Sequence, residues 1–252
     1  MISGCEHPDV REVIQRKCRE VGAELIETGG LQGVSGLFHL DGRCGFDLEI
    51  GETQIPGITL QMAGRFQVKN AVAAATAASR LKNFRISSRC IREGLQSARW
   101  PGRLETLQNR PLVLLDGAHN PAAAREVAAF VQEHLAGRTL RLVYATMRDK
   151  DIGEISGILF PLAKVVYLTR PRVERAAFPE DILASARAES RQIVIEPDPE
   201  RALEQAIEQS SPEDVVLVAG SLFLVGAVKM AVLEGRLVPG KAVLPEVFSE
   251  YS

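Results

Sequence analysis

Residues 100–121 read WPGRLETLQNRPLVLLDGAHNP, and the second half of this stretch decides the fold. Leu112, Val113, Leu114 and Leu115 form an unbroken apolar run, the pattern of a parallel strand buried on both faces. Asp116, Gly117, Ala118, His119, Asn120 and Pro121 follow. Asn120 suits a helix N-cap, and Pro121 suits the first helical position, where a missing N–H costs nothing. Val127, Phe130, Val131 and Leu135 continue as a helical stripe, and Gly137 fits the stop. In an open α/β sheet, ligands bind beyond the carboxyl ends of the strands. An acid, Asp116, and a histidine, His119, stand at that place.

The same alternation continues downstream. Strands fit 112–116, 140–146, 164–169, 192–195 and 214–219; helices fit 121–136, 151–159, 179–189, 199–209 and 221–233. That order predicts an α/β domain with a mostly parallel sheet and right-handed crossovers. The segment 215–233 is long and apolar enough to raise a membrane span, but Gly220-Ser221 splits it and Lys229 lies inside it. Strand, turn and helix explain it better.

Upstream the character differs. Trp100-Pro101-Gly102 breaks structure and sets the boundary between residues 1–100 and 101–252. Pro8 to Val21 reads as a helix with Val10, Val13, Ile14 and Cys18 on one side, and Ala23 to Ile26 as a strand. From Gly29 to Leu60 glycines separate short alternating runs, such as Phe46-Asp47-Leu48-Glu49-Ile50, which predict small antiparallel hairpins. Gly30, Gly33 and Gly36 have the wrong spacing for a dinucleotide fingerprint. Asn70 to Leu81 reads as an Ala-rich helix, and a second helix runs from Ser87 or Ser88 to about Ala98.

Composition excludes several classes. Net charge is −2 with no sustained basic block, which argues against nucleic acid or an anionic membrane surface as partner. Cys5, Cys18, Cys44 and Cys90 show no CxxC spacing and read as reduced thiols. With no signal peptide at the N-terminus, a cytoplasmic location is expected. Residues 235–242, GRLVPGKA, nearly match the phosphate-loop spacing, but Ala242 lacks the hydroxyl that magnesium needs.

Five segments in order carry a resemblance: MAGRFQVKNAVAAATAASRL (62–81), PGRLE (101–105), LLDGAHNP (114–121), DKD (149–151) and VAGSLFLVG (218–226). Together they resemble folylpolyglutamate synthase and dihydrofolate synthase, of the Mur ligase superfamily. The resemblance implies a Rossmann-like glutamate-ligase domain over 101–252, preceded over 1–100 by the last, incomplete part of the central ATP-binding domain. It implies ATP and Mg²⁺ as cofactors, with folate or dihydropteroate and L-glutamate as substrates. The family's phosphate loop, its metal ligands and a lysine that is often carbamylated have no counterpart in this sequence. Any metal site is therefore expected outside it, and the chain alone is expected to be inactive. An incomplete first domain with unpaired edges is expected to be the less stable part, or to self-associate.

Residue roles follow by the same resemblance. Asp116 and Arg103 are matched to the nucleotide, and His119 to the reacting centre and the incoming amino acid. Lys150 and Ser221 are matched to the glutamate carboxylates, where an ammonium and a hydroxyl at a helix N-terminus suit an anion. Gln67 and Asn70 are matched to the adenine edge. Here the chain departs from the family, because Phe66-Gln67 stands where a His-Gln pair is usual; Phe66 could stack instead. Plain alternatives stand beside each assignment. Asp116 could cap the helix, His119 could pack locally, Arg103 could pair with Glu105, Lys150 could be a solvated lysine, and Ser221 and Asn70 could serve only their helices. Two other whole-chain readings are part of a cell-wall Mur ligase, and a catalytically dead module that binds a nucleotide or a partner protein.

Overall fold

The computed structural model describes residues 1–40, 43–187 and 192–237. The chain divides into two compact units, Met1–Trp100 and Pro101–Ser252.

In the first unit, β1 (Ile2–Ser3) pairs in parallel with β2 (Ile26–Glu27), joined through α1 (Pro8–Glu20). The strand read at 23–26 thus starts three residues later. α1 has Pro at its start, Asp9 in its first turn and Lys17 and Arg19 in its last, all favourable for the helix dipole. Of its apolar stripe only Cys18 is buried; Val10 and Val13 are about half exposed, at 46% and 51%. β3 (Val34–Leu40), β4 (Arg43–Ile50) and β5 (Thr53–Leu60) form an antiparallel sheet in that order. Phe46, Leu48, Ile55, Ile58 and Leu60 from this sheet pack against Val68, Ala71, Val72 and Ala75 of α2 (Arg65–Ser79) and Ile91 of α3 (Ser88–Ser97). Helix α2 begins five residues before the expected Asn70. Gly64, at φ +94°, turns the chain into it, so Gln67 and Asn70 lie inside the helix.

The second unit is a six-stranded sheet built from β6 (Glu105–Asn109), β7 (Leu112–Leu115), β8 (Leu140–Tyr144), β9 (Val165–Leu168), β10 (Gln192–Ile195) and β11 (Val215–Ala219). The spatial order is β10-β9-β8-β11-β7-β6. Every neighbouring pair is parallel except β6–β7. Helices α4 (Pro121–His134), α5 (Ile152–Leu159), α6 (Pro179–Ser185) and α7 (Pro199–Glu208) lie between successive strands in sequence, and α8 (Leu222–Leu233) follows β11. All five residues of β8 and of β11 are buried, which is why these strands read as continuous apolar runs.

The sequence pattern misses β6. ETLQN is polar, and the strand is held by its backbone ladder to β7 across an irregularity between Thr106 and Gln108. The strand read at 140–146 ends at Tyr144, and the helix read at 179–189 ends at Ser185; residues 188 and 189 lie outside the described residues, as does the end of the 235–242 near-match. Residues 215–233 form β11, a turn and α8, as read from Gly220-Ser221. Among the described residues no helix is long and apolar enough to cross a membrane.

The chain runs from β7 to β8, on through β9 and β10, and returns to place β11 between β8 and β7. The carboxyl ends of β7, β8 and β11 therefore stand side by side at the point where the winding direction reverses, the usual ligand crevice of such sheets.

Candidate functional site

The end of β7 carries Asp116. Its carboxylate is buried, and both oxygens are used by the backbone. Oδ1 accepts the Ala118 N–H at 2.8 Å, and Oδ2 accepts the Leu104 N–H at 2.9 Å. Burial pushes its pKa up; the two N–H donors, Arg103 and His119 pull the other way. Asp116 caps no helix, because Asn120 does that, accepting the Ala123 N–H at 2.9 Å. With both oxygens turned inward, Asp116 ties the 102–105 turn to the strand end and offers no open face to a ligand.

That turn presents Arg103. Leu104 sits at φ +44°, an uncommon conformation for a branched residue, kept here by its bond to Asp116. Gly102 donates to Glu105 Oε2 at 2.7 Å, and its carbonyl accepts the Gly117 N–H at 2.8 Å. Glu105 does not pair with Arg103. Its other oxygen takes Lys229 Nζ at 2.6 Å. Arg103 is half-buried and makes no hydrogen bond or ion pair with the described residues.

His119 is half-buried, with Nδ1 2.8 Å from the Gly117 carbonyl. A carbonyl can only accept, so Nδ1 carries the proton and Nε2 of the neutral ring is left as the acceptor. This orientation is what a proton-accepting histidine needs.

The ends of β8 and β11 carry Lys150 and Ser221. Lys150 is half-buried, its ammonium 2.8 Å from Asp149 Oδ2, which lowers the Asp149 pKa. One of its three donors is so engaged. Ser221 is buried and caps α8, its Oγ accepting the Phe223 N–H at 3.1 Å while its own hydroxyl proton stays available. Gly220, at φ +104°, makes the turn; a Cβ there would lie 2.3 Å from the Ala145 carbonyl oxygen. A cation that the motifs do not reveal joins this edge. The Arg175 guanidinium lies over the Phe223 ring at 5.3 Å, adds to the charge acting on Asp149, and its carbonyl accepts the Arg148 N–H. Arg175 sits in an irregular loop, where no periodicity marks a residue.

In the first unit, Asn70 Nδ2 donates to Gln67 Oε1 at 3.0 Å. Gln67 is buried and Asn70 exposed, one helical turn apart. The Phe66 ring folds against Gly64, so it is not a free stacking platform. Among the described residues no group of three or more His, Cys, Asp or Glu side chains could hold a metal ion. All four cysteines are free.

Comparison with known proteins gives this architecture a family. Residues 102–222 match the model of the Mur ligase, glutamate ligase domain, so the chain contains a Mur ligase C-terminal domain. Its relatives reach into the folate branch. A protein of Haloferax volcanii named "Probable bifunctional folylpolyglutamate synthase/dihydropteroate synthase" is 36% identical over 202 residues, 79% of this chain and 22% of that protein. The bifunctional folylpolyglutamate synthase/dihydrofolate synthase of Yersinia pestis, solved with AMPPNP and a Mn ion, shares 27% identity at a TM-score of 0.69, over 88% of this chain and 50% of that one. A cell-wall enzyme matches too: the UDP-N-acetylmuramoyl-L-alanyl-D-glutamate--L-lysine ligase of Streptococcus sanguinis is 32% identical over 200 residues, 75% of this chain and 40% of that protein. The chain spans half or less of the length of each.

Proposed function

We propose that this chain provides the amino-acid side and part of the nucleotide side of an ATP-dependent folate–glutamate ligase, a folylpolyglutamate synthase or dihydrofolate synthase. The observation that carries the reading is the juxtaposition of the β7, β8 and β11 ends, which share one edge of the sheet. That edge holds a guanidinium without a hydrogen bond or ion pair among the described residues, an ammonium and a helix N-terminus, all suited to anions, and an imidazole oriented to accept a proton.

In the reaction, a folate carboxylate attacks the γ-phosphorus of ATP, and ADP leaves. The glutamate amine then attacks the acyl phosphate, giving an amide and phosphate. Arg103 meets the nucleotide phosphates. Lys150 and the Ser221 end of α8 hold the glutamate carboxylates, with Arg175 as a second cation beside them. His119 faces the amine, its Nε2 free to accept a proton. Asp116 acts through the turn it fastens rather than by touching ATP. In the first unit, the Gln67–Asn70 pair retains amide donors for an adenine edge. A divalent ion, Mg²⁺ in this reading, would stabilise the transferring phosphoryl group. The described residues offer it no cage.

The test is calorimetric binding of L-glutamate and of ADP to the full chain. Lys150→Ala should weaken glutamate about tenfold to hundredfold and leave ADP nearly unchanged, the scale of one charged hydrogen bond. Unchanged glutamate binding would sink the assignment. The cell-wall relative supports a second reading, in which the same edge takes another amino acid. Preference for L-lysine over L-glutamate would favour it.

A further inference from the structure

We propose that Glu105, held by Lys229, is a positioning residue that aims Arg103. The proposal rests on the reading above, in which the Arg103 guanidinium meets nucleotide phosphate.

The geometry separates two uses of the glutamate. An arginine and a glutamate two residues apart invite an ion pair, yet Glu105 spends one oxygen on the Gly102 N–H at 2.7 Å and the other on Lys229 at 2.6 Å. Both side chains of the ion pair are mostly buried, at 19% and 27% exposure, so solvent competes little for it. The carboxylate closes the turn over Arg103 by bonding the residue before it. Lys229 fixes the carboxylate in turn, two helical turns along α8 from the Ser221 cap. Three further features hold the same turn. Gly117 donates to the Gly102 carbonyl, Leu104 donates to Asp116, and Val225 of α8 lies within 3.0 Å of where a Gly102 Cβ would stand. The backbone groups on either side of Arg103 are thus fastened, while its guanidinium makes no hydrogen bond or ion pair among the described residues. A turn held this firmly around a free cation is preorganised for a ligand, and the ordering cost falls before binding rather than during it. The same α8 helix carries Ser221 at its start and Lys229 further on, so one rigid element serves both the amino-acid end and the phosphate-facing turn.

The experiment is a double-mutant cycle on ADP binding by the full chain, read by isothermal titration calorimetry. Arg103→Ala should weaken ADP about tenfold or more. Glu105→Ala and Lys229→Met should each weaken it several-fold, but only while Arg103 is present, because residues acting through one group are not additive. Lys229→Arg should recover most of what Lys229→Met loses. Glu105→Gln should fall between, since its amide oxygen still accepts the Gly102 N–H. Circular dichroism melts check folding. If Glu105→Ala unfolds, the Lys229→Met arm reads the same coupling. Wild-type ADP affinity in Glu105→Ala, or a penalty that persists undiminished beside Arg103→Ala, overturns the proposal and leaves the Arg103 reading intact. No loss of ADP affinity in Arg103→Ala overturns the nucleotide reading and the proposal with it.

Discussion

Asp116 shows how far a motif can be read at the scale of single residues. Its position at a strand end is legible in LLDGAHNP, and so is the Asn120–Pro121 start of the helix. Its bonding is not, because the Leu104 N–H comes from twelve residues upstream and reaches the carboxylate only through an unusual left-handed backbone. The same holds for Glu105 and Lys229, separated by 124 positions. Asp116 makes a pH prediction. Burial raises its pKa above the ordinary 3.8, so the folded chain holds this proton longer than the unfolded chain does. Its stability contribution is therefore full below 3.8 and falls as pH rises through the raised value. Carboxyl carbon NMR should find Asp116 titrating above the exposed aspartates; titration at or below 3.8 would contradict the cause given. Asp116→Asn should cost about 1–3 kcal/mol in a denaturant melt at neutral pH, because an amide can accept from only one of the two N–H groups.

At the scale of elements, the parallel strands were readable because double burial leaves an uninterrupted apolar signature. β6 was not, since an edge strand is set by pairing rather than by composition. The start of α2 escapes the sequence pattern for a related reason. Gly64 sets it by a positive φ, while the alanines that make the helix conspicuous begin only at Ala71. Gly220 is the element-scale hinge of the site. Its φ of +104°, and the Ala145 carbonyl oxygen only 2.3 Å from where a Cβ would stand, leave no room for a side chain. Gly220→Ala should destabilise the chain by about 2–4 kcal/mol, from left-handed strain plus overpacking against Tyr144. Urea denaturation measures it. A variant within about 0.5 kcal/mol of wild type would mean that the turn relaxes freely.

For the whole molecule, the two units differ in how well they are built. The second has a six-stranded sheet whose central strands are fully buried. In the first, β1 and β2 make a two-stranded sheet, marginal on its own, and α1 buries only Cys18. Amide hydrogen exchange should therefore show weak protection in α1, β1 and β2 and strong protection in β7, β8 and β11. Equal, high protection throughout would argue that the core of the first unit also holds those elements firmly.

The central claim is that the ends of β7, β8 and β11 form one anion-binding edge. Backbone amide NMR on the full chain, titrated separately with L-glutamate and with ADP, tests it most directly. The account predicts glutamate-induced shifts at Lys150 and Gly220–Phe223, ADP-induced shifts at Gly102–Leu104, and both sets meeting at Gly117–Asn120. Shifts scattered over the opposite end of the sheet, or no shifts at these residues at millimolar ligand, would contradict it.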